Sequence, residues 1–124
     1  MRPANPPPGC APGRYQVVFS SAVAEGEWDS FAAKNPDAAQ AAFKRLSNEP
    51  LSRQPGRQFP LKGKANKPFW EYEATASDRV YYAVCLKTQT VIVAVRNDAH
   101  KGSDVAKLIM ARVKGVKRIV RERK

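Results

Sequence analysis

The sequence predicts an α+β fold, with an antiparallel sheet of four to five strands, two helices from the N-terminal half packed on it, and a C-terminal helix. Three observations predict this. Apolar residues recur at helical spacing in two stretches of the first half, alternate along short stretches after residue 58, and recur at helical spacing near the end. This order is typical of an antiparallel sheet covered on one face by helices. The 124 residues suffice for one such domain.

The first segment differs in composition from the rest of the chain. Residues 1–13 are rich in Pro, Gly and Ala and predict a disordered, partly polyproline leader, without the apolar stretch of a signal peptide. Residues 14–20 place β-branched and aromatic residues in a row, which predicts a strand. We therefore expect one domain over residues 14–120, followed by a basic tail at 121–124.

Two helices are predicted next. A serine at position 20 or 21 can cap the first helix, and Asn35 with Pro36 ends it and begins the second. The second helix should stop before Pro50. The apolar positions at helical spacing are Val23, Trp28, Phe31, Ala39, Ala42, Phe43 and Leu46.

A run of strands follows a predicted loop at residues 48–57. Strand patterns occupy residues 59–62, 69–75, 79–85 and 90–96, with a hairpin at Thr88 and Gln89. Side chains alternate along a strand. In the third strand this predicts one face made of Val80, Tyr82 and Val84 and another made of Arg79, Tyr81 and Ala83. The aromatic residues assigned to the core are Trp28, Phe31, Phe43, Trp70 and Tyr82.

The last predicted helix carries much of the positive charge. Ser103 can cap it, and its core-facing positions are Val105, Leu108, Ile109 and Val113. The chain holds 22 Lys and Arg against 11 Asp and Glu, a net charge of +11. Residues 62–124 hold 15 basic and 6 acidic residues, against 7 and 5 in residues 1–61. This asymmetry exceeds what solubility requires and predicts a nucleic acid or an acidic protein as partner.

The sequence predicts neither a disulfide framework nor a metal site nor a membrane-spanning segment. Its cysteines, Cys10 and Cys85, lie in the leader and in an apolar strand, and His100 is the one histidine. No apolar run approaches the roughly 18 residues of a membrane span. We expect a cytoplasmic protein without metal or cofactor.

From residue 61 to about residue 105 the sequence resembles the RelE/ParE toxin superfamily. LKG at 61–63 and FWEY at 69–72 are similar to that family's "LKG … LWEL" stretch, and DRVYYAV at 78–84 is similar to its "YR-apolar-x-Y-x-V" strand. DAHK at 98–101 resembles the "GHR"-type turn before the last helix. With the preceding strand and helices, the match in order covers about residues 14–113.

The resemblance implies a microbial RNase-type fold and a toxin neutralised by a cognate antitoxin. RNA-cutting members hold mRNA on the concave face of the sheet, generally in the ribosomal decoding site, and the 2′-hydroxyl attacks the adjacent phosphodiester. The ParE branch lacks the cutting residues and poisons DNA gyrase. A basic nucleic-acid-binding protein without catalysis is a third hypothesis. We expect an acidic or amphipathic antitoxin segment to cover the basic face.

The candidate catalytic residues follow from the chemistry of metal-free RNA cleavage, which needs a base, cations at the phosphorane and an acid. Arg79 occupies the position of the family's strand arginine and can bind the scissile phosphate; the alternative is an ordinary exposed sheet arginine. His100 can protonate the leaving oxygen, and Lys101 can support phosphate charge. Glu71 is a candidate base. Tyr81 either stacks on a base or packs in the core.

Further basic residues are candidates for holding the RNA backbone. They are Lys62, Lys64, Lys67 and Arg96. Two departures from the family weaken the RNase hypothesis. Glu73 stands where many relatives have a basic residue, and the final helix lacks a tyrosine near its start.

Overall fold

The computed structural model describes residues 2–6, 11–61, 69–76 and 78–97. The helices are α1 (Ala22–Lys34) and α2 (Pro36–Asn48). The strands are β1 (Arg2–Pro3), β2 (Gln16–Phe19), β3 (Gln58–Pro60), β4 (Trp70–Glu73), β5 (Arg79–Cys85) and β6 (Thr90–Asn97). The predicted α+β class is confirmed. The predicted C-terminal helix and basic tail lie outside the described residues.

The strands form one sheet in the order β1-β2-β6-β5-β4-β3. The neighbours β2 and β6 run parallel, and the other neighbouring pairs are antiparallel. The sheet is therefore mixed and has six strands, where the sequence predicts four to five antiparallel ones. The segment between β2 and β6 contains both helices and three strands, which is long enough for the crossover that a parallel pair requires. Three of the four β2 residues are buried, as fits a strand with a neighbour on each side.

The first residues of the predicted leader account for the sixth strand. Arg2 and Pro3 pair with Phe19 and Val18, and the Ala4 amide donates a 2.8 Å hydrogen bond to the Val17 carbonyl. As an edge strand they satisfy backbone groups that β2 would otherwise expose, and the disorder expected for the leader as a whole stays a prediction. Proline is compatible with such an edge strand. The domain bounds at residues 14 and 120 stay a prediction.

Both helices begin and end near the predicted residues. Ser21 caps α1, and its hydroxyl accepts a 3.2 Å hydrogen bond from the Ala24 amide. Asn35 caps α2 without a side-chain hydrogen bond, and Pro36 occupies the first turn. Of the apolar positions at helical spacing in α1, Val23 is 55% exposed, whereas the next residue, Ala24, is buried.

The sheet is buried on both faces. On one face, residues of α1 and α2 pack against Val80, Tyr82 and Val84. On the opposite face a second apolar cluster contains Val18, Phe69, Tyr81, Ala83, Ile92 and Ala94. This two-sided burial explains why β5 and β6 are apolar along most of their lengths. Within the described ranges, no helix is long and apolar enough to cross a membrane.

A buried polar network attaches the loop after α2 to the core. The fully buried Gln58 accepts a 2.7 Å hydrogen bond from Arg45 Nε and donates from Nε2 to the Glu49 carbonyl at 2.8 Å and to the Tyr82 hydroxyl at 3.0 Å. The Tyr82 hydroxyl in turn donates to the Pro50 carbonyl at 2.7 Å. The network thereby joins α2, the loop, β3 and β5.

Two glycines provide a matched test of packing. A Cβ at Gly13 would lie 2.6 Å from the carbonyl and hydroxyl oxygens of Ser47, whereas a Cβ at Gly26, within α1, would meet nothing within 4 Å. We predict that Gly13→Ala lowers the free energy of unfolding by about 1–3 kcal/mol through overpacking. Gly26→Ala should raise it by about 0.5–1 kcal/mol, because alanine favours the helix.

Urea denaturation of both variants checks this prediction. Equal midpoints for Gly13→Ala and the parent chain would mean that the segment before β2 does not pack against the end of α2 as described.

Candidate functional site

Two adjacent strands bring one arginine and two glutamates together on the sheet face opposite α1 and α2. The register of β4 and β5 pairs Glu73 with Arg79 and Glu71 with Tyr81. Arg79 Nε lies 3.3 Å from Glu71 Oε2, and Arg79 Nη2 lies 3.0 Å from Glu73 Oε1. We call Glu71, Glu73 and Arg79 the Arg79 cluster.

The third nitrogen of the guanidinium is also engaged. Arg79 Nη1 donates to the carbonyl oxygens of Thr75 at 2.8 Å and Ala76 at 3.2 Å, in the turn between β4 and β5. That turn is closed by Thr75 and Asp78, whose hydroxyl and carboxylate are 2.7 Å apart. The Arg79 side chain is only 12% exposed. In this arrangement it stabilises the hairpin, and a phosphate would have to replace one of its carboxylate partners.

The cluster combines two of the groups that RNA cleavage requires. A carboxylate can accept a proton, and a guanidinium can stabilise the negative charge of a phosphorane. The Glu71 carboxylate is in contact with the Arg79 guanidinium, and both side chains are largely buried. The two carboxylates outweigh the single guanidinium, however, and give the cluster a formal charge that opposes a polyanion.

Tyr81 lies next to the cluster and is fully buried. Its ring belongs to the second apolar cluster, so the structure shows packing and no ring face open to a base. Its hydroxyl has no hydrogen-bond partner of normal geometry among the described residues. Burial raises the pKa of Tyr81, and the Glu71 carboxylate raises this pKa further, while Arg79 lowers it. The hydroxyl therefore stays protonated at neutral pH.

Most of the other candidate residues lie outside the part of the chain that the structure describes. Arg96 pairs with Val80 across β5 and β6, but its side chain is outside the described part of the chain. The candidates that lie wholly outside it are Lys62, Lys64, Lys67, His100 and Lys101. The structure thus brings Arg79, Glu71 and Tyr81 together and leaves the remaining assignments as predictions.

Glu73 is the site residue that the sequence did not identify as an Arg79 partner. A signal for it was present, because the short turn at residues 74–78 implies an antiparallel hairpin. In that hairpin, Glu71 and Glu73 share the face on which alternation also places Arg79.

The fold is similar to that of solved toxin structures. One is a copper-bound point-mutant toxin from Helicobacter pylori, with 17% sequence identity and a TM-score of 0.50 over 67% of this chain and 92% of that chain. Another is the toxin–antitoxin complex RelBE2 from Mycobacterium tuberculosis, with 21% identity and a TM-score of 0.43 over 68% and 98%. The first similarity shows a shared fold. The TM-score of the second is too low to add to that conclusion. No protein-family model matches the sequence, and no curated protein matches it significantly.

The two adjacent tyrosines of β5 allow a direct comparison of buried hydroxyl groups. Tyr82→Phe removes the hydroxyl that donates a hydrogen bond to the Pro50 carbonyl and accepts one from Gln58 Nε2. We predict a loss of about 1–3 kcal/mol in the free energy of unfolding. Tyr81→Phe removes a hydroxyl that makes no hydrogen bond of normal geometry with a described residue, so the loss should be smaller than in Tyr82→Phe.

The midpoint of urea denaturation measures both effects. A loss in Tyr81→Phe as large as that in Tyr82→Phe would show that the Tyr81 hydroxyl has a strong partner in solution.

Proposed function

We propose that this chain, which shares the fold of a Helicobacter pylori toxin, is itself the toxin of a toxin–antitoxin system and cuts mRNA, at the ribosome, without a metal. The observation that supports cleavage is the contact between Arg79 and Glu71, 3.3 Å apart on adjacent strands. The family resemblance of the sequence and its excess of basic residues after residue 61 favour RNA as the substrate.

The proposed reaction is a transesterification within the RNA. Glu71 accepts the proton of the 2′-hydroxyl, whose oxygen forms a bond to phosphorus. Arg79 stabilises the charge of the phosphorane. The bond from phosphorus to the 5′-oxygen then breaks, and His100 gives that oxygen a proton. The products are a 2′,3′-cyclic phosphate and a 5′-hydroxyl end.

Cleavage requires an exchange of partners at Arg79. Glu73 Oε1 lies closest to the guanidinium, at 3.0 Å, and in this scheme it is the group that the scissile phosphate replaces. Glu73 therefore restrains the enzyme when no RNA is bound. Bringing a polyanion close to two carboxylates costs free energy. We propose that five basic residues offset this cost, namely Lys62, Lys64, Lys67, Arg96 and Lys101.

The engagement of Arg79 also favours a second candidate function. A guanidinium bound by two carboxylates and by turn carbonyls can serve only to stabilise the hairpin. In that case the chain is a non-catalytic, ParE-like toxin that acts on gyrase. In either case we propose that it acts in the cytoplasm and that its partner is an antitoxin with an acidic or amphipathic segment.

Two matched substitutions test the cleavage proposal. Glu71→Gln and Glu73→Gln remove the same charge two residues apart on one face of β4. We predict that Glu71→Gln, Arg79→Ala and His100→Ala lose cleavage by about a hundredfold, the usual contribution of a single acid–base or charge-stabilising group. Glu73→Gln should cut faster than the parent chain, because it releases Arg79.

The measurement is the mapping of mRNA 5′ ends after induction in growing bacteria, with soluble protein levels as control. New ends inside translated reading frames, absent in Glu71→Gln, would support the proposal. Growth arrest with intact mRNA would contradict cleavage and make gyrase the target to assay. Normal growth with intact mRNA would contradict the toxin assignment itself.

A further inference from the structure

On the face of β4 opposite the Arg79 cluster, two arginines lie over aromatic rings. The guanidinium carbon of Arg53 is 5.8 Å from the centre of the Trp70 ring, and that of Arg57 is 5.8 Å from the centre of the Tyr72 ring. Trp70 and Tyr72 are two residues apart on one strand, a separation of about 6.6 Å. The rings therefore hold two guanidinium groups in a row along β4.

These cations are available to a ligand. Arg53, Arg57 and the nearby Lys44 are exposed, and none of the three forms an ion pair with a described residue. The neighbouring carboxylate of Glu49 pairs instead with Arg45, at 3.5 Å. A shallow depression between α2 and the loop is lined by Lys44, Glu49, Gln54 and Tyr72, so Lys44 and the ring beneath Arg57 border the same depression.

The loop that carries both arginines is held in place. The polar network around Gln58 binds the loop at the carbonyls of Glu49 and Pro50, and Arg45 Nη2 donates to the Ser52 hydroxyl at 3.2 Å. Gln54 pairs with Gln58 through two 2.8 Å backbone hydrogen bonds. A preorganised loop loses less conformational entropy when a ligand binds.

We propose that Lys44, Arg53 and Arg57, with the rings beneath the arginines, form a binding surface for the phosphate backbone of single-stranded RNA. We call it the stacked-arginine surface. It lies on the opposite side of the sheet from the Arg79 cluster. Its existence does not depend on whether the chain cuts RNA.

Three features favour RNA over an acidic protein segment. Successive cations at strand spacing can follow a regular chain of phosphates, each of which carries a full negative charge. The guanidinium plane of an exposed arginine also offers a platform for an RNA base. A protein partner would need apolar anchors, but Tyr72 is buried and Trp70 lies beneath Arg53, which leaves Leu51 as the large exposed apolar side chain of this loop.

The test measures binding of the full chain to a fluorescent 2′-O-methyl oligouridine, which cannot be cut by 2′-hydroxyl attack. The double variant Arg53→Gln/Arg57→Gln is compared with Lys34→Gln/Lys87→Gln, which removes the same charge from two exposed lysines elsewhere. Each phosphate contact to a single strand contributes about 0.7 to the slope of log affinity against log salt. The arginine variant should therefore lose about 1.4 in slope and at least tenfold in affinity at low salt, and the lysine variant much less.

A third variant, Arg53→Lys/Arg57→Lys, keeps the charge and removes the planar groups. It should retain most of the salt slope while still binding more weakly than the parent chain. Urea midpoints of all variants report whether the fold is intact.

Several results would overturn the proposal. The first is that the parent chain shows no measurable RNA binding. The second is that the arginine and lysine double variants lose RNA affinity equally, and the third is that the arginine variant binds RNA as the parent chain does. If the arginine-to-glutamine variant lost binding to a polyglutamate peptide but still bound RNA as the parent chain does, the surface would be assigned to an acidic protein instead.

Discussion

The strand β5 lies between β4 and β6 and is buried on both faces, and the arrangement of the site depends on this constraint. Because side chains alternate, Val80, Tyr82 and Val84 pack under the helices, while Arg79 and Tyr81 lie on the other face. A shift of one residue would exchange these environments and bury the guanidinium in the apolar core. The difference between the two faces thus fixes the register, and the register sets Arg79 opposite Glu73.

The same register gives the chain two basic features with different surroundings. The Arg79 guanidinium is nearly buried and bound by two carboxylates, so any ligand must compete with protein groups for it. Arg53 and Arg57 are exposed and lie over aromatic rings, so they can bind a phosphate without losing an ion pair to a described residue. In our account the stacked-arginine surface increases the affinity for RNA and the Arg79 cluster provides the chemistry. In the same proposal, the ion pair between Glu73 and Arg79 restrains that chemistry until a phosphate binds.

The sequence was informative where periodicity is strong and where residues interact locally. It predicted the bounds of β5, the faces of Arg79 and Tyr81, the start of α1 after Ser20 or Ser21, and the start of α2 at Pro36. It did not predict the pairing of β1 with β2 or of β2 with β6, because contacts between residues far apart in sequence leave no local pattern. The arginines over Trp70 and Tyr72 were missed for the same reason, since each stacked pair joins a loop to a later strand.

The exchange of partners at Arg79 is the central claim, and NMR of the arginine Nε–H groups tests it most directly. The Arg79 signal, assigned by its loss in Arg79→Lys, would be followed while uncleavable 2′-O-methyl RNA is added. Our account predicts a large shift of this signal, reached at lower RNA concentration in Glu73→Gln, because a phosphate replaces the carboxylate. If RNA binds and shifts the signals of Arg53 and Arg57 while that of Arg79 stays fixed, the guanidinium only stabilises the hairpin and the proposed chemistry is wrong.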